Sequence, residues 1–168
     1  MYMVNTKQME TINASRLVEN VLLTQERRFK RHKITFLNGF DVSKADDFGI
    51  KGIRRMLTTT LVNLLDNAIY WTDDDDEKDK YIWIGPSNDL ESPAIVIADN
   101  GPGFIDSATD IVQPFYTRKP GGMGIGLYYA DMVMKSHGGR LAFPEKRALD
   151  RPEVVKNGAC IAMVFNKK

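Results

Sequence analysis

QPFYTRKPGGMGIGLYYADMV, Gln113 to Val133, runs from a basic turn through GGMGIG directly into a helix-patterned segment. Glycines at 121, 122, 124 and 126 permit positive φ and close backbone approach, and the free amides and dipole of the following helix start favour an anion. The stretch reads as a phosphate site. Upstream lies a second glycine turn, DNGPGF at Asp99 to Phe104, and before it a helical segment carrying Asn63 and Asn67. Three separated elements are thus expected to converge on one nucleotide.

Working outward, Leu57, Leu61, Leu64, Leu65 and Ala68 recur on one helical face, with Asn63 and Asn67 on the other side. Ala14, Leu17, Val18, Val21 and Leu22 predict an earlier helix, which ERRFKRHK connects to a short strand at Ile34 to Leu37. A polar loop is expected around Asp41 to Lys51, and the acidic run Asp73 to Asp79 reads as a solvated turn rather than a cation site. Tyr81 to Ile84 and Ala94 to Ala98 read as a hairpin-like strand pair. A helix from Ile125, stopped by HGG at 137 to 139, leads to last strands at Arg140 to Phe143 and Ala159 to Phe165. The expected fold is α+β, a two-layer α/β sandwich with one mixed sheet and its helices on one face.

The 168 residues suffice for one domain with a substantial core, 43% of them hydrophobic. The net charge of +1 supplies no global field to recruit nucleic acid or an anionic membrane. Apolar runs fall far short of the ~20 residues that cross a bilayer, and no signal-peptide pattern opens the sequence. A cytoplasmic domain is expected, its parent protein being soluble or membrane-bound. The lone Cys160, in the apolar run ACIAMVF, reads as a buried hydrophobe.

Asn63 and Asn67 are four apart, so on a helix their amide oxygens, hard ligands suited to Mg²⁺, project one turn apart from the same face. Asp99 ends an apolar strand, where a carboxylate can accept a hydrogen bond from the 6-amino group of adenine that guanine lacks, or cap its own turn.

NLLDNA, DNGPGF, PFYTRKPGG and GMGIGL, in this order, resemble the N box, first G box, F box and second G box of the GHKL superfamily, and most closely the catalytic and ATP-binding domains of bacterial sensor histidine kinases. The resemblance spans about residues 15 to 166, leaving 1–14 as an amino-terminal extension that could end a preceding helical domain. It implies the Bergerat fold, ATP and Mg²⁺ as ligands, Asn67 as the metal ligand and Asp99 as the adenine reader. It also implies a lid over ATP from about Ile105 to Gly121. The nucleotide-binding set so implied is Asn63, Asn67, Tyr70, Asp99, Gly101 and Gly103, then Thr117, Arg118 and Lys119, then Gly122, Met123, Gly124, Ile125, Gly126 and Leu127.

Hydrolysing relatives carry a glutamate where this chain has Asn63, which cannot serve as a general base. Asp66, the other acid of that helix, is expected to point away from the Asn63 and Asn67 face. In many such kinases a lysine or arginine follows the metal-binding asparagine by three residues. Tyr70 stands there instead, so Lys119 or Arg118 is expected to supply the missing charge, and Asn63 and Lys119 are the residues on which catalysis would turn. His32 and His137 lack the context of a phosphoacceptor and read as structural. The resemblance therefore implies transfer of the γ-phosphate to a histidine on a separate dimerisation domain, in the parent chain or in trans, with a response regulator downstream. The competing readings are a nucleotide-sensing interaction module, and an ATPase or protein serine kinase on the same fold.

Overall fold

The computed structural model describes residues 6–42, 47–73, 77–145 and 148–166. Its first long helix, α1 at Ala14–Arg31, begins where the Asn13 side chain accepts the Arg16 backbone N–H at 3.0 Å and ends in a turn bearing Arg28, Lys30 and Arg31. Its stripe of Leu17, Val18, Val21 and Phe29 is buried. The second, α3 at Arg54–Thr72, buries Leu57, Leu61, Leu64, Leu65 and Ala68, the face its periodicity predicts. Between them lie β2 at Ile34–Asn38 and the single turn α2 at Gly39–Val42. The third packing helix, α5 at Gly126–Ser136, follows the one-turn α4 at Ala108–Ile111.

His137 joins the ends of two helices. Its Nδ1 lies 2.8 Å from the Val133 carbonyl of α5, and its Nε2 accepts the Ile53 N–H at 3.1 Å at the start of α3. His32 pairs with Asp73 at 2.5 Å, and Lys80 holds the other oxygen of Asp73 at 2.6 Å. Both histidines are thus structural ties. Of the acidic run expected as a solvated turn, residues 74–76 lie outside the described residues, as do residues 43–46 of the polar loop.

Strands β4 at Lys80–Ser87, β5 at Ala94–Asp99, β6 at Arg140–Ala142 and β7 at Cys160–Val164 join β2 in a five-stranded mixed sheet. Its order is β2-β4-β5-β7-β6, with β2 parallel to β4 and the other pairs antiparallel. β4 and β5 form the expected hairpin, with Ile82 opposite Asp99. Alternation decides the two faces. Ile82, Ile84, Ile95, Ile97, Ile161 and Met163 join the core with α1, α3 and α5, while Trp83, Val96, Cys160 and Val164 face Leu149 and Val155 of the β6–β7 connection. The helices gather on one face, as expected.

One feature departs from the single sheet read in the sequence. β1 at Glu10–Asn13 pairs antiparallel with β3 at Gly49–Gly52 in a separate two-stranded sheet. Only Ile12 and Ile50 mark it, each almost fully buried, and one apolar residue per strand is too short a period to read. Among the described residues no helix is long and apolar enough to cross a membrane.

Candidate functional site

The carboxy-terminal half of α3, the glycine turn after β5, the segment expected as a lid and the start of α5 enclose a cleft of about 320 Å³. Asn63 and Asn67 line it from α3, Gly103 from the first glycine turn, Thr117, Arg118 and Lys119 from the lid, and residues 122–127 from the second glycine turn and α5. No described residue hydrogen-bonds either asparagine amide. A Cβ at Gly126 would stand 3.8 Å from the Asn63 side chain, so the amide-rich start of α5 abuts the asparagine face of α3. Anion-favouring N–H groups and metal-suited amide oxygens therefore share one wall.

Gly124 makes the corner possible. Its φ is +68°, a Cβ there would lie 2.5 Å from the Phe115 carbonyl carbon, and its own carbonyl accepts the Phe115 N–H at 3.0 Å. Phe115 itself, at φ +65°, is held in a left-handed conformation unusual for an aromatic residue, with its ring 78% exposed. Ile105, 80% exposed, and Met123, 74% exposed, extend this apolar rim of the mouth.

Asp99, Gly101 and Tyr70 do not line the cleft directly. Asp99 lies one layer behind, 4% exposed, and its Oδ1 accepts the Gly101 N–H at 2.9 Å and, at 3.3 Å, that of Ala159, a lining residue. No bond from the described residues ends on Oδ2. Burial raises the Asp99 pKa to about 6 against these two backbone bonds and the charges of Lys78 and Arg151. The turn-capping role thus falls on one oxygen of the pair. Gly101 must be small because a Cβ there would meet the Trp71 carbonyl at 3.0 Å.

Tyr70 meets the segment expected as a lid. Lys119 Nζ stands 4.8 Å from the centroid of its ring, a cation–π contact. Burial lowers the Lys119 pKa, with Asp66 opposing and Arg28 adding to the effect. Arg118 is held by both oxygens of Asp106 within the lid, at 2.6 Å for the Nη2 contact, and Asp106 raises the pKa of the guanidinium. Lys119 is thus the lid cation turned towards α3.

Asp66 corrects the sequence reading. It lines the cleft and pairs with Arg28 of α1, because three residues along a helix return a side chain to within about 60° of its start. Trp71, Ile111 and Ala159 also line the cleft, and no motif marked them. Trp71 followed a residue already singled out, whereas Ala159 reaches the site only through the pairing of β7 with β5.

A family model described as Histidine kinase-, DNA gyrase B-, and HSP90-like ATPase matches residues 52–167. The sensor protein TdiS of Thauera aromatica is 35% identical over 86 residues, 49% of this chain and 16% of TdiS. The sensor protein TorS of Escherichia coli K12 is 31% identical over 153 residues, 88% of this chain and 15% of TorS. The chain thus spans about a sixth of the length of these curated relatives. The solved catalytic domain of the histidine kinase ThkA superposes with a TM-score of 0.71 at 22% identity, covering 92% of this chain and 94% of that one. ThkA has also been solved in complex with the response regulator protein TrrA, where the match has a TM-score of 0.65 at 21% identity over 92% of this chain and 40% of that one.

Proposed function

Since the chain belongs to the histidine kinase-, DNA gyrase B-, and HSP90-like ATPase family, we propose that it binds Mg-ATP and delivers the γ-phosphate to a histidine on a separate dimerisation domain, as the catalytic domain of a two-component sensor histidine kinase. Residues 15–166 form the nucleotide-binding unit on this reading, and β1 of the 1–14 extension packs onto it through β3. The observation that carries it is a cleft with a buried carboxylate behind one wall and paired asparagines beside a helix start on another.

Asp99 Oδ2 accepts the adenine 6-amino hydrogen, and Trp71, Ile111 and Leu127 supply apolar surface for the base. The α5 amides and Lys119 face the phosphates. Mg²⁺ fits the amide oxygens of Asn67 and Asn63, which no described residue occupies, and when bound it neutralises charge across the phosphate oxygens. In the transfer an imidazole nitrogen of the acceptor attacks the γ-phosphorus while the bond to the β–γ bridging oxygen breaks. ADP leaves with that electron pair and the imidazole releases its N–H proton to solvent. Asn63 cannot take a proton from water, so transfer is favoured over hydrolysis.

The exposed apolar rim of Ile105, Phe115 and Met123 supports presentation of the phosphate to a second domain. TrrA bound to ThkA supports a response regulator as the next partner in the relay. The need for ATP and for such partners supports a cytoplasmic location for the domain, whatever its parent spans.

Calorimetric titration with a nonhydrolysable ATP analogue and with GTP, each with and without Mg²⁺, tests the binding. Adenine-selective, Mg²⁺-dependent binding is expected. Incubation with radiolabelled ATP and a histidine-bearing dimerisation domain should then give acid-labile, alkali-stable label. An acid-stable product would point to a hydroxyl acceptor and overturn the histidine assignment.

A further inference from the structure

Arg28 belongs to no glycine or asparagine motif, yet its guanidinium reaches Asp66, which lines the cleft. It stands in the last turn of α1, where Nη1 donates to Gln25 Oε1 at 2.9 Å and to Asp66. No bond from the described residues ends at its Nε or Nη2. Asp66 lines the cleft beside Asn63 and Asn67. From the lid comes Lys119, resting on Tyr70 one helical turn beyond Asp66, with the Asp66 carboxylate favouring its ammonium form. Two cations from different elements therefore flank one carboxylate next to the asparagine amides, an excess of positive charge where the phosphates of a nucleotide belong.

We propose that Arg28 is a second phosphate-contacting cation of this site, and that Asp66 holds Arg28 in place until a triphosphate displaces it. The inference rests on the ATP-binding reading above. The Arg28–Asp66 pair is weakly held, since both side chains are about two-fifths exposed, at 41% and 42%, and an ion pair so open to water stabilises little. A triphosphate offers several oxygens to a planar guanidinium that still has free donors, and guanidinium groups bind phosphate through more than one N–H. Tyr70, uncharged, brings no cation of its own to this part of α3. Arg28 supplies charge from α1 while Lys119 supplies it from the lid, so the α1 helix takes part in nucleotide recognition and not only in packing.

The test measures dissociation constants for a nonhydrolysable ATP analogue, ADP and adenosine, each with Mg²⁺, on the wild type, Arg28→Gln and Asp66→Asn. Arg28→Gln should weaken the ATP analogue by about tenfold, the loss of one partly exposed charge-assisted contact, with a smaller effect on ADP and none on adenosine. Asp66→Asn should act in the opposite direction and tighten the ATP analogue, because the cations lose their competitor. Adenosine binding reports that each variant is folded. Arg28→Gln shifting all three ligands equally, or none, overturns the proposal, as does Asp66→Asn weakening the ATP analogue as Arg28→Gln does. Adenosine and ATP binding intact in the wild type, with an unchanged ratio in Arg28→Gln, sinks only this inference. No nucleotide binding by the wild type sinks the ATP reading itself.

Discussion

Asp99 shows what a single buried carboxylate costs the fold. Its folded pKa of about 6 lies above the usual 3.8, so the folded chain binds its proton more tightly than the unfolded chain does. Stability from this group is therefore fully present below pH 3.8 and is lost as pH rises through about 6, a difference of roughly 3 kcal/mol. Asn at 99 keeps an oxygen for the Gly101 and Ala159 N–H groups and removes the buried charge. Asp99→Asn should accordingly resist urea better than the wild type at pH 8, by up to roughly 3 kcal/mol, and equal it near pH 4. The same substitution should abolish adenine-selective binding, and in the wild type ATP affinity should fall as pH is lowered through 6. Retained ATP affinity in Asp99→Asn would remove the base-reading role. The turn-capping of Asp99 was readable because a carboxylate between an apolar strand and a glycine turn is conspicuous. Asp66 was misread because helical angle, not identity, decides its direction, and Arg28 was invisible because its partner lies 38 residues away.

At the scale of elements, the corner between the lid and α5 is the most demanding local geometry of the site. Gly121 and Gly124 both have left-handed φ, +72° and +68°, but a Cβ at 121 meets nothing within 4 Å whereas one at 124 strikes the Phe115 and Tyr116 backbone. Gly121→Ala should thus bear only the strain of a left-handed alanine, about 1 kcal/mol, with less than a tenfold loss of nucleotide affinity. Gly124→Ala must also part the lid from the turn, and binding should become undetectable by calorimetry. Equal effects of the two substitutions would show that the turn and lid are not held together there. The glycines, the α3 face and the β4–β5 hairpin were all legible, since each is a repeated local signal. The β1–β3 sheet was not, because its pairing joins segments whose short extended runs gain meaning only when Ile12 and Ile50 meet the core.

Across the whole molecule, the central strands β4, β5 and β7 are covered on both faces by apolar clusters, while β2 lies at an edge with only Ile34 among its residues buried. Native-state hydrogen exchange should find the amides of β5 and β7 opening only with global unfolding, and those of β2 opening at lower free energy. Equal protection would mean that the edge is not a separate cooperative unit. The alternating faces and the helical stripes made this layering legible. The strand order was not, since β7 reaches the centre through pairing that leaves no mark on either strand alone. The parallel pairing of β2 with β4 also has a consequence in time. Chain emerging from a ribosome presents α1 and β2 well before β4, so β2 has no partner in the main sheet until Lys80–Ile84 have been made. The β4–β5 hairpin, local in sequence, can form by itself, whereas the older segment must wait as an amphipathic helix trailing an unpaired strand. Synthesis order and assembly order therefore run against each other at this edge, and that interval is when the nascent chain is most open to chaperones and to aggregation.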